Sequence, residues 1–231
     1  MNRDSLAPSG RRSFLTRLNA GLASLAGVGG IAMAQSKQTA ARWEPARHDK
    51  DDWLDKPSTR HRLLFDTTSS DGVGNALAFA DNFYRVNKNE YGVENSELAV
   101  VIVLRHRSAA FGYSEAMWKK YGATLAERSK VEDPKTHAAP VLNLYNASGY
   151  GELIPNRGIT FESLSKLGAQ FAGCTLSTRA NAGLIARAVG STPAAILEEL
   201  TSNLVSNGRM VPAGIVAVGR AQERGFSLVT C

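Results

Sequence analysis

The sequence has little cysteine and no arrangement of residues typical of a zinc site. Its 231 residues include two cysteines and four histidines, and no Cys/His group has the spacing of zinc ligands. Two cysteines exclude a small scaffold that depends on several disulfides. We therefore expect no metal and no disulfide framework.

A strong charge of one sign is also missing. The 27 basic and 21 acidic residues give +6, but the first 34 residues hold four of the bases and one acid. The rest of the chain has 23 basic and 20 acidic residues, a net charge of +3. So small and scattered a charge argues against a nucleic-acid partner. The 43% hydrophobic content is typical of a globular protein with a sizeable core.

The first 34 residues have the pattern of an export signal. Arg11 and Arg12 form a twin-arginine pair, an uncharged Ala- and Gly-rich stretch runs from 18 to 34, and Ala32-Met33-Ala34 is a small-x-small cleavage motif. A membrane anchor is the alternative, but the stretch is short, with four glycines and an asparagine, and a span needs about 20 strongly apolar residues. We predict a twin-arginine signal peptide over 1–34, cleavage after Ala34 and a periplasmic protein that meets the membrane only through that signal.

The segment 35–60 is dense in charge and lacks a sustained apolar face. It is predicted to be a polar N-terminal arm or linker. The folded domain is predicted to span 61–231.

Apolar runs and helical patterns alternate from His61 onward, which predicts an α/β fold with a five-stranded, mainly parallel sheet and helices on both faces. The predicted strands are 61–66, 98–104, 168–174, 209–211 and 226–229. The predicted helices are 73–89, 113–121, 161–167, 177–189, 193–203 and 215–224. Residues 122–160 are predicted to be a long excursion with a short helix near 123–129, and such excursions are often lids or subunit contacts.

The flavodoxin-like strand order 2-1-3-4-5 is the commonest for such a sheet, and we adopt it as the expectation. Ligands of such folds bind outside the carboxyl ends of the strands where the winding reverses. In this order that point lies between the loop that starts at Asp66 and the loop that starts at Cys174. Asp66 and Thr67 are therefore predicted to line a substrate site beside Cys174.

Cys174 is the main candidate for chemistry. It lies where a strand gives way to a helix, so the N–H groups of Leu176 or Ser177 are expected to point at its sulfur, and Arg179 would add positive charge. A helix N-terminus lowers the pKa of a thiol, and the thiolate is the nucleophile. The alternative is a packed cysteine, because free cysteine is among the most buried residue types.

Other residues give weaker signals. His106 stands between two arginines at the end of the second predicted strand and is predicted to line the substrate site as a neutral proton acceptor, or else to be a solvated loop residue. Gly72-x-Gly74 lacks the further residues of a nucleotide-binding loop, so no cofactor is expected. Cys231 follows the last strand, about 10 Å from Cys174 in the expected order, which is too far for a stable disulfide unless the tail bends.

Three stretches resemble the DsrE/DsrF-like proteins, in particular their exported branch. They are Gly168–Cys174 (GAQFAGC) with the STRANAG helix that follows, Leu104–Tyr121 (LRHRSAAFGYSEAMWKKY) and Met210–Phe226 (MVPAGIVAVGRAQERGF). The resemblance covers about residues 60–231. It implies a five-stranded α/β sandwich, frequent homo-oligomers and, in some members, a cysteine that carries sulfur as a persulfide. Cys174 matches that cysteine by its position after a strand.

The leading hypothesis is therefore a periplasmic sulfur carrier or sulfurtransferase-type protein acting through Cys174. Its partners would be small sulfur species or a sulfur donor or acceptor protein. A non-catalytic module that binds a small ligand, with Cys174 merely packed, is the alternative. A third possibility is an oligomeric accessory protein in which 122–160 joins subunits.

Overall fold

The sheet has five strands, and its most apolar strand lies at the centre. The structure, a computed structural model, describes residues 43–231. The strands are β1 (His61–Thr67), β2 (Leu98–Leu104), β3 (Gln170–Cys174), β4 (Gly208–Val211) and β5 (Ser227–Thr230). All neighbouring strands pair in parallel. The predicted α/β class with a parallel five-stranded sheet is confirmed.

The predicted strand order 2-1-3-4-5 is wrong, because the observed order is β4-β3-β2-β1-β5. Each strand from β1 to β4 is added beside the previous one, and β5 returns to the free edge of β1. The apolar pattern of a strand predicts how deeply that strand is buried, but it does not predict which strand lies beside it. β2, in which all seven residues are buried, consequently separates β1 from β3.

Six α-helices of the described region surround the sheet: α1 (Ser70–Tyr91), α2 (Glu115–Ser129), α3 (Phe161–Leu167), α4 (Thr175–Val189), α5 (Pro193–Ser202) and α6 (Gly214–Glu223). The buried residues of α1 to α5 share one core cluster with Phe65, Ile102 and Phe171. Those of α6 share another with Leu64, Val101 and Ala172. Right-handed crossovers explain the division, because the connection from β4 to β5 runs opposite to all the others. Helices on both faces are thus confirmed.

Local sequence signals fix the ends of several helices. The Ser69 side chain accepts the N–H of Gly72 at the start of α1, and Thr192 with Pro193 opens α5. α4 ends at Gly190, whose φ of 69° is left-handed and suits glycine. The predicted helices 161–167, 177–189, 193–203 and 215–224 accordingly differ from the observed ones by two residues at most. The predicted helices 113–121 and 123–129 instead form one helix, α2, which follows a 3₁₀ segment, His106–Gly112.

Part of the predicted N-terminal arm is packed onto the domain. Residues 49–54 form a 3₁₀ segment whose Leu54 is buried in the same cluster as α6. Arg224, the C-cap of α6, has an almost fully buried side chain and bonds Asp55 at 3.3 Å. Arg220 contacts Asp51 at 3.6 Å. We call residues 47–57 the strap.

The chain from 130 to 160 has no helix or strand, yet it is packed against the core. The buried Asn143 side chain donates to the carbonyls of Phe111 and Tyr113 and accepts the N–H of Tyr145. The Tyr145 ring meets the Phe111 ring edge-on at 4.9 Å. A Cβ at Gly122 of α2 would overlap the Pro140 carbonyl oxygen, so this segment lies directly on α2.

The predicted signal peptide, 1–34, and residues 35–42 of the predicted arm lie outside the described residues. Within residues 43–231, no helix combines the length and apolar character needed to span a bilayer.

A substitution at Asn143 tests how firmly residues 130–160 are packed against the core. We expect Asn143→Ala to lower the free energy of unfolding by about 3 kcal/mol, because two buried carbonyls and one N–H lose their partner. Asn89→Ala, at an exposed position of α1, should change it by less than about 0.5 kcal/mol. Urea unfolding followed by circular dichroism measures both, and equal values for the two variants would show that 130–160 is not held as described.

Candidate functional site

Cys174 occupies the junction between β3 and α4. It is the last residue of β3 and the N-cap of α4, and its Sγ lies 3.5 Å from the N–H donor of Ser177. The residue is 5% exposed. Its thiol is thus held at a helix N-terminus, just below the surface at the carboxyl edge of the sheet.

Main-chain donors set the acidity of this thiol. Burial raises its pKa. Hydrogen bonds from the Ser177 hydroxyl and from the N–H groups of Gly214, Ser177 and Leu176 outweigh that cost, so the pKa of Cys174 is lowered overall. A lowered pKa increases the thiolate fraction at neutral pH, and the thiolate is the reactive form.

The N-terminus of a second helix also donates to the thiol, because Gly214 is the first residue of α6. The main chain of Gly214 lies so close to β2 and Arg105 that a glycine is required. A Cβ at this position would lie 2.8 Å from Arg105 Cβ and 3.1 Å from Val103 Cγ1. Any larger residue would displace the Arg105 side chain or the Gly214 N–H. The site therefore joins the ends of β2, β3 and β4.

Arg105 supplies positive charge beside the thiol. It is held by Asp66, whose carboxylate accepts from Arg105 Nε at 2.7 Å and from Nη2 at 2.8 Å. The hydrogen bonds to Asp66 raise the pKa of Arg105, burial lowers it, and the charges of Asp66 and of the Cys174 thiolate raise it further. A bidentate pair fixes the guanidinium more firmly than a single contact.

His106 contributes its backbone to the site. Its N–H donates to Ser177 Oγ at 2.8 Å, and its φ of 58° is left-handed, which is uncommon for a residue other than glycine. The imidazole is exposed, with Nδ1 3.4 Å from the Thr68 carbonyl oxygen. His106 thus orients Ser177, which in turn bonds to the thiol.

A buried cluster of hydrogen-bonded polar side chains lies next to Cys174. The Tyr113 hydroxyl donates to Thr178 Oγ1 and accepts from Asn181 Nδ2, both at 3.0 Å, while Thr178 Oγ1 donates to the Cys174 carbonyl at 3.1 Å. Burial raises the pKa of Tyr113 to about 12, and the neighbouring Cys174 charge contributes to the rise. Tyr113 therefore stays neutral and holds the first turns of α4 in place.

The structure brings some of the predicted site residues together and separates others. Asp66 contributes to the site by holding the Arg105 guanidinium in place. Thr67 does not line it, because its side chain is fully buried and bonds Val103 O and Ser108 Oγ. The prediction placed it there because the expected strand order made the ends of β1 and β3 neighbours. Arg179 is exposed on α4, two residues after Ser177, and is not among the groups that shift the pKa of Cys174.

The two cysteines are both free thiols. β1 and β2 lie between β3 and β5, which puts the strand ends about 14 Å apart, farther than the expected order implied and beyond the span of a disulfide. Burial and the Asp66 charge raise the pKa of Cys231. Cys174 is therefore the more acidic thiol.

Sequence reasoning missed Arg105, Ser177 as a side-chain donor, and Gly214. Each lies one to three residues beyond a strand end or cysteine, so their position along the chain was informative. Which of these ends converge depends on the strand order. Among residues 43–231, no group of three or more His, Cys, Asp and Glu side chains is arranged to bind a metal ion.

No protein-family model matches the chain, and no curated protein matches it significantly. Among solved structures, a protein of unknown function from Methanobacterium thermoautotrophicum is similar at 15% identity, over 74% of this chain and 99% of that one, with a TM-score of 0.34. A similarity at this level adds no argument about fold or function.

The Ser177 hydroxyl provides a test of the thiol's environment. In a Cys231→Ser background, we expect Ser177→Ala to slow iodoacetamide alkylation of Cys174 at pH 7 by about tenfold, because one hydrogen bond to the thiolate is lost. Losing that bond raises the thiol's pKa, so the pH–rate curve should move to higher pH. Ser191→Ala, on the exposed turn after α4, serves as the control. A curve for Ser177→Ala that superimposes on this control would contradict the assigned role.

Proposed function

We propose that this protein carries sulfane sulfur on Cys174. The observation that supports this most directly is a thiol of lowered pKa that accepts hydrogen bonds at the N-termini of two helices. The resemblance of Gly168–Cys174 and its neighbouring stretches to the DsrE/DsrF-like proteins agrees with it. The twin-arginine pattern of the first 34 residues supports a periplasmic location.

Loading requires a donor that contains a sulfur–sulfur bond, such as a polysulfide or a protein persulfide. The Cys174 thiolate attacks the sulfane sulfur, a new S–S bond forms on Sγ, and the donor's S–S bond breaks. The donor's remaining sulfur leaves with the electron pair as a thiolate. No outside oxidant is consumed, because the sulfane sulfur keeps its oxidation state.

Unloading reverses the roles. An acceptor thiolate attacks the outer sulfur of the Cys174 persulfide, and Cys174 leaves as a thiolate. A leaving group of low pKa leaves faster, so the same N–H groups that favour loading also favour release. Arg105, held by Asp66, keeps further terminal N–H groups that can donate hydrogen bonds to an anionic sulfur donor.

The surroundings of the thiol suit a transfer that occurs at the surface. Leu176 and Ile215 lie in the first turns of α4 and α6, and these residues are 59% and 61% exposed. His106 and Arg179 are also exposed. Small sulfur species or a donor protein would approach the thiol across this rim. A homo-oligomer, which the family resemblance implies, remains a prediction.

Intact mass spectrometry tests sulfur carriage. We expect the wild-type protein treated with polysulfide to gain the mass of one sulfur atom, removable by a reductant and mapped to Cys174. Cys174→Ser should lose this increment, whereas Cys231→Ser should keep it, because only Cys174 has donors that stabilise its thiolate.

An increment of equal size in Cys174→Ser would contradict the proposal. So would a wild-type protein that gains no sulfur and whose two thiols alkylate slowly. That second result would favour the alternative, a binding module in which Cys174 is only packed.

A further inference from the structure

A second cleft lies at the amino ends of the strands, at the opposite edge of the sheet from Cys174. Its volume is about 490 Å³, which is within the range of small-molecule sites. Ala99 and Val101 of β2 and Phe226 form apolar walls, and the strap contributes Trp53 and Lys56. The site described above uses none of these residues.

The topology explains why this cleft exists. Among residues 43–231, α6 is the one α-helix packed on its face of the sheet, whereas five share the core cluster of the other face. The strap crosses part of the sheet surface that α6 leaves uncovered, and its Leu54 side chain is buried there. Between the strap and the ends of β2, β3 and β4, sheet residues face a recess instead of a helix.

Arg209 has unused hydrogen-bonding capacity in this recess. Its guanidinium lies over the Trp53 ring, 4.7 Å from the centroid, and one terminal nitrogen is 3.4 Å from Gln170 Oε1. Its Nε is buried and has no hydrogen-bond partner among the described residues. A buried donor without a partner is costly. Because the protein encloses Nε, a ligand in the cleft would bond to the terminal N–H groups of the guanidinium, four donors of which one points at Gln170.

Lys56 brings a second cation to the same cleft. Its Nζ donates to the Leu98 carbonyl at 2.8 Å, which leaves further N–H donors on the ammonium group. Asp55 also lines the cleft, but its carboxylate is already paired with the buried Arg224 and with Arg47. Asp52 is exposed at the rim. Positive charge is therefore left uncompensated on the inner side.

We propose that this cleft binds a small aromatic carboxylate, with its ring against the apolar walls and Trp53 and its carboxylate on Arg209 and Lys56. Stacking on an aromatic side chain and a charge-assisted hydrogen bond are complementary to such a ligand. The proposal is independent of sulfur carriage, since the cleft and Cys174 lie at opposite ends of the strands.

Saturation-transfer NMR with 2-naphthoate as the probe tests this, and 2-naphthamide serves as the uncharged control ligand. We expect naphthoate to bind and naphthamide to bind at least about tenfold more weakly, because the amide lacks the charge that Arg209 and Lys56 attract. Arg209→Gln should weaken naphthoate binding by about tenfold or more. Arg85→Gln, an exposed arginine on α1, should leave it unchanged, as should Cys174→Ser.

The outcomes separate the parts of the proposal. No binding of naphthoate to the wild-type protein, or equal binding to Arg209→Gln, would overturn it. Equal binding of naphthamide would overturn the carboxylate assignment. Should Arg209→Gln fail to fold, Lys56→Met replaces it, with weaker naphthoate binding and retained thermal stability as the expected result.

Discussion

The architecture depends on the burial of β2. From Leu98 to Leu104 this strand has no polar side chain, so it is stable only with a strand on each edge and a covered surface on each face. β1 and β3 pair with the two edges of β2. Helices α1 to α5 cover one face of the sheet, and α6 with the strap covers part of the other. Since the Leu104–Gly173 pair aligns β2 with β3, the residue that follows β2, Arg105, lies beside Cys174.

The chemistry of the candidate site follows from that arrangement. Parallel strands end at one edge of the sheet, and there the helices that follow β3 and β4 direct their first N–H groups at one sulfur atom. Main-chain donors are already oriented by the helices and lose little freedom when a thiolate forms. Arg105 is fixed by Asp66, so its charge is also in place before a substrate arrives. The site is thus organised before it binds anything.

The two edges of the sheet offer different chemistry. At the carboxyl edge a nucleophile is surrounded by donors and has an exposed rim. At the amino edge a recess under the strap combines apolar walls with two cations. The difference arises from chain connectivity, because the helices that follow the strands begin at the carboxyl edge and direct N–H groups there. At the amino edge helices end instead, as α3 does at Gly168, and the strap completes the recess.

Much of the fold was accessible from sequence. The strands and most helices follow from apolar periodicity and from end signals such as Thr192-Pro193 and Gly190, which act within a few residues. The position of Cys174 between a strand and a helix was likewise a local property, and it indicated the Leu176 and Ser177 donors correctly. The helix that includes Met117 was predicted to end at 121, whereas α2 continues to Ser129 through a kink at Tyr121.

By itself, then, the sequence determined which segments form strands and helices, and that one cysteine caps a helix. Only the tertiary structure decided the strand order, the approach of Gly214 and Arg105 to the thiol, the burial of Thr67 and the packing of the strap and of Asn143. The physical reason is that these contacts join residues far apart in the chain. The apolar pattern of β1, β2 and β3 would be the same in several strand orders, and only the packed sheet selects one.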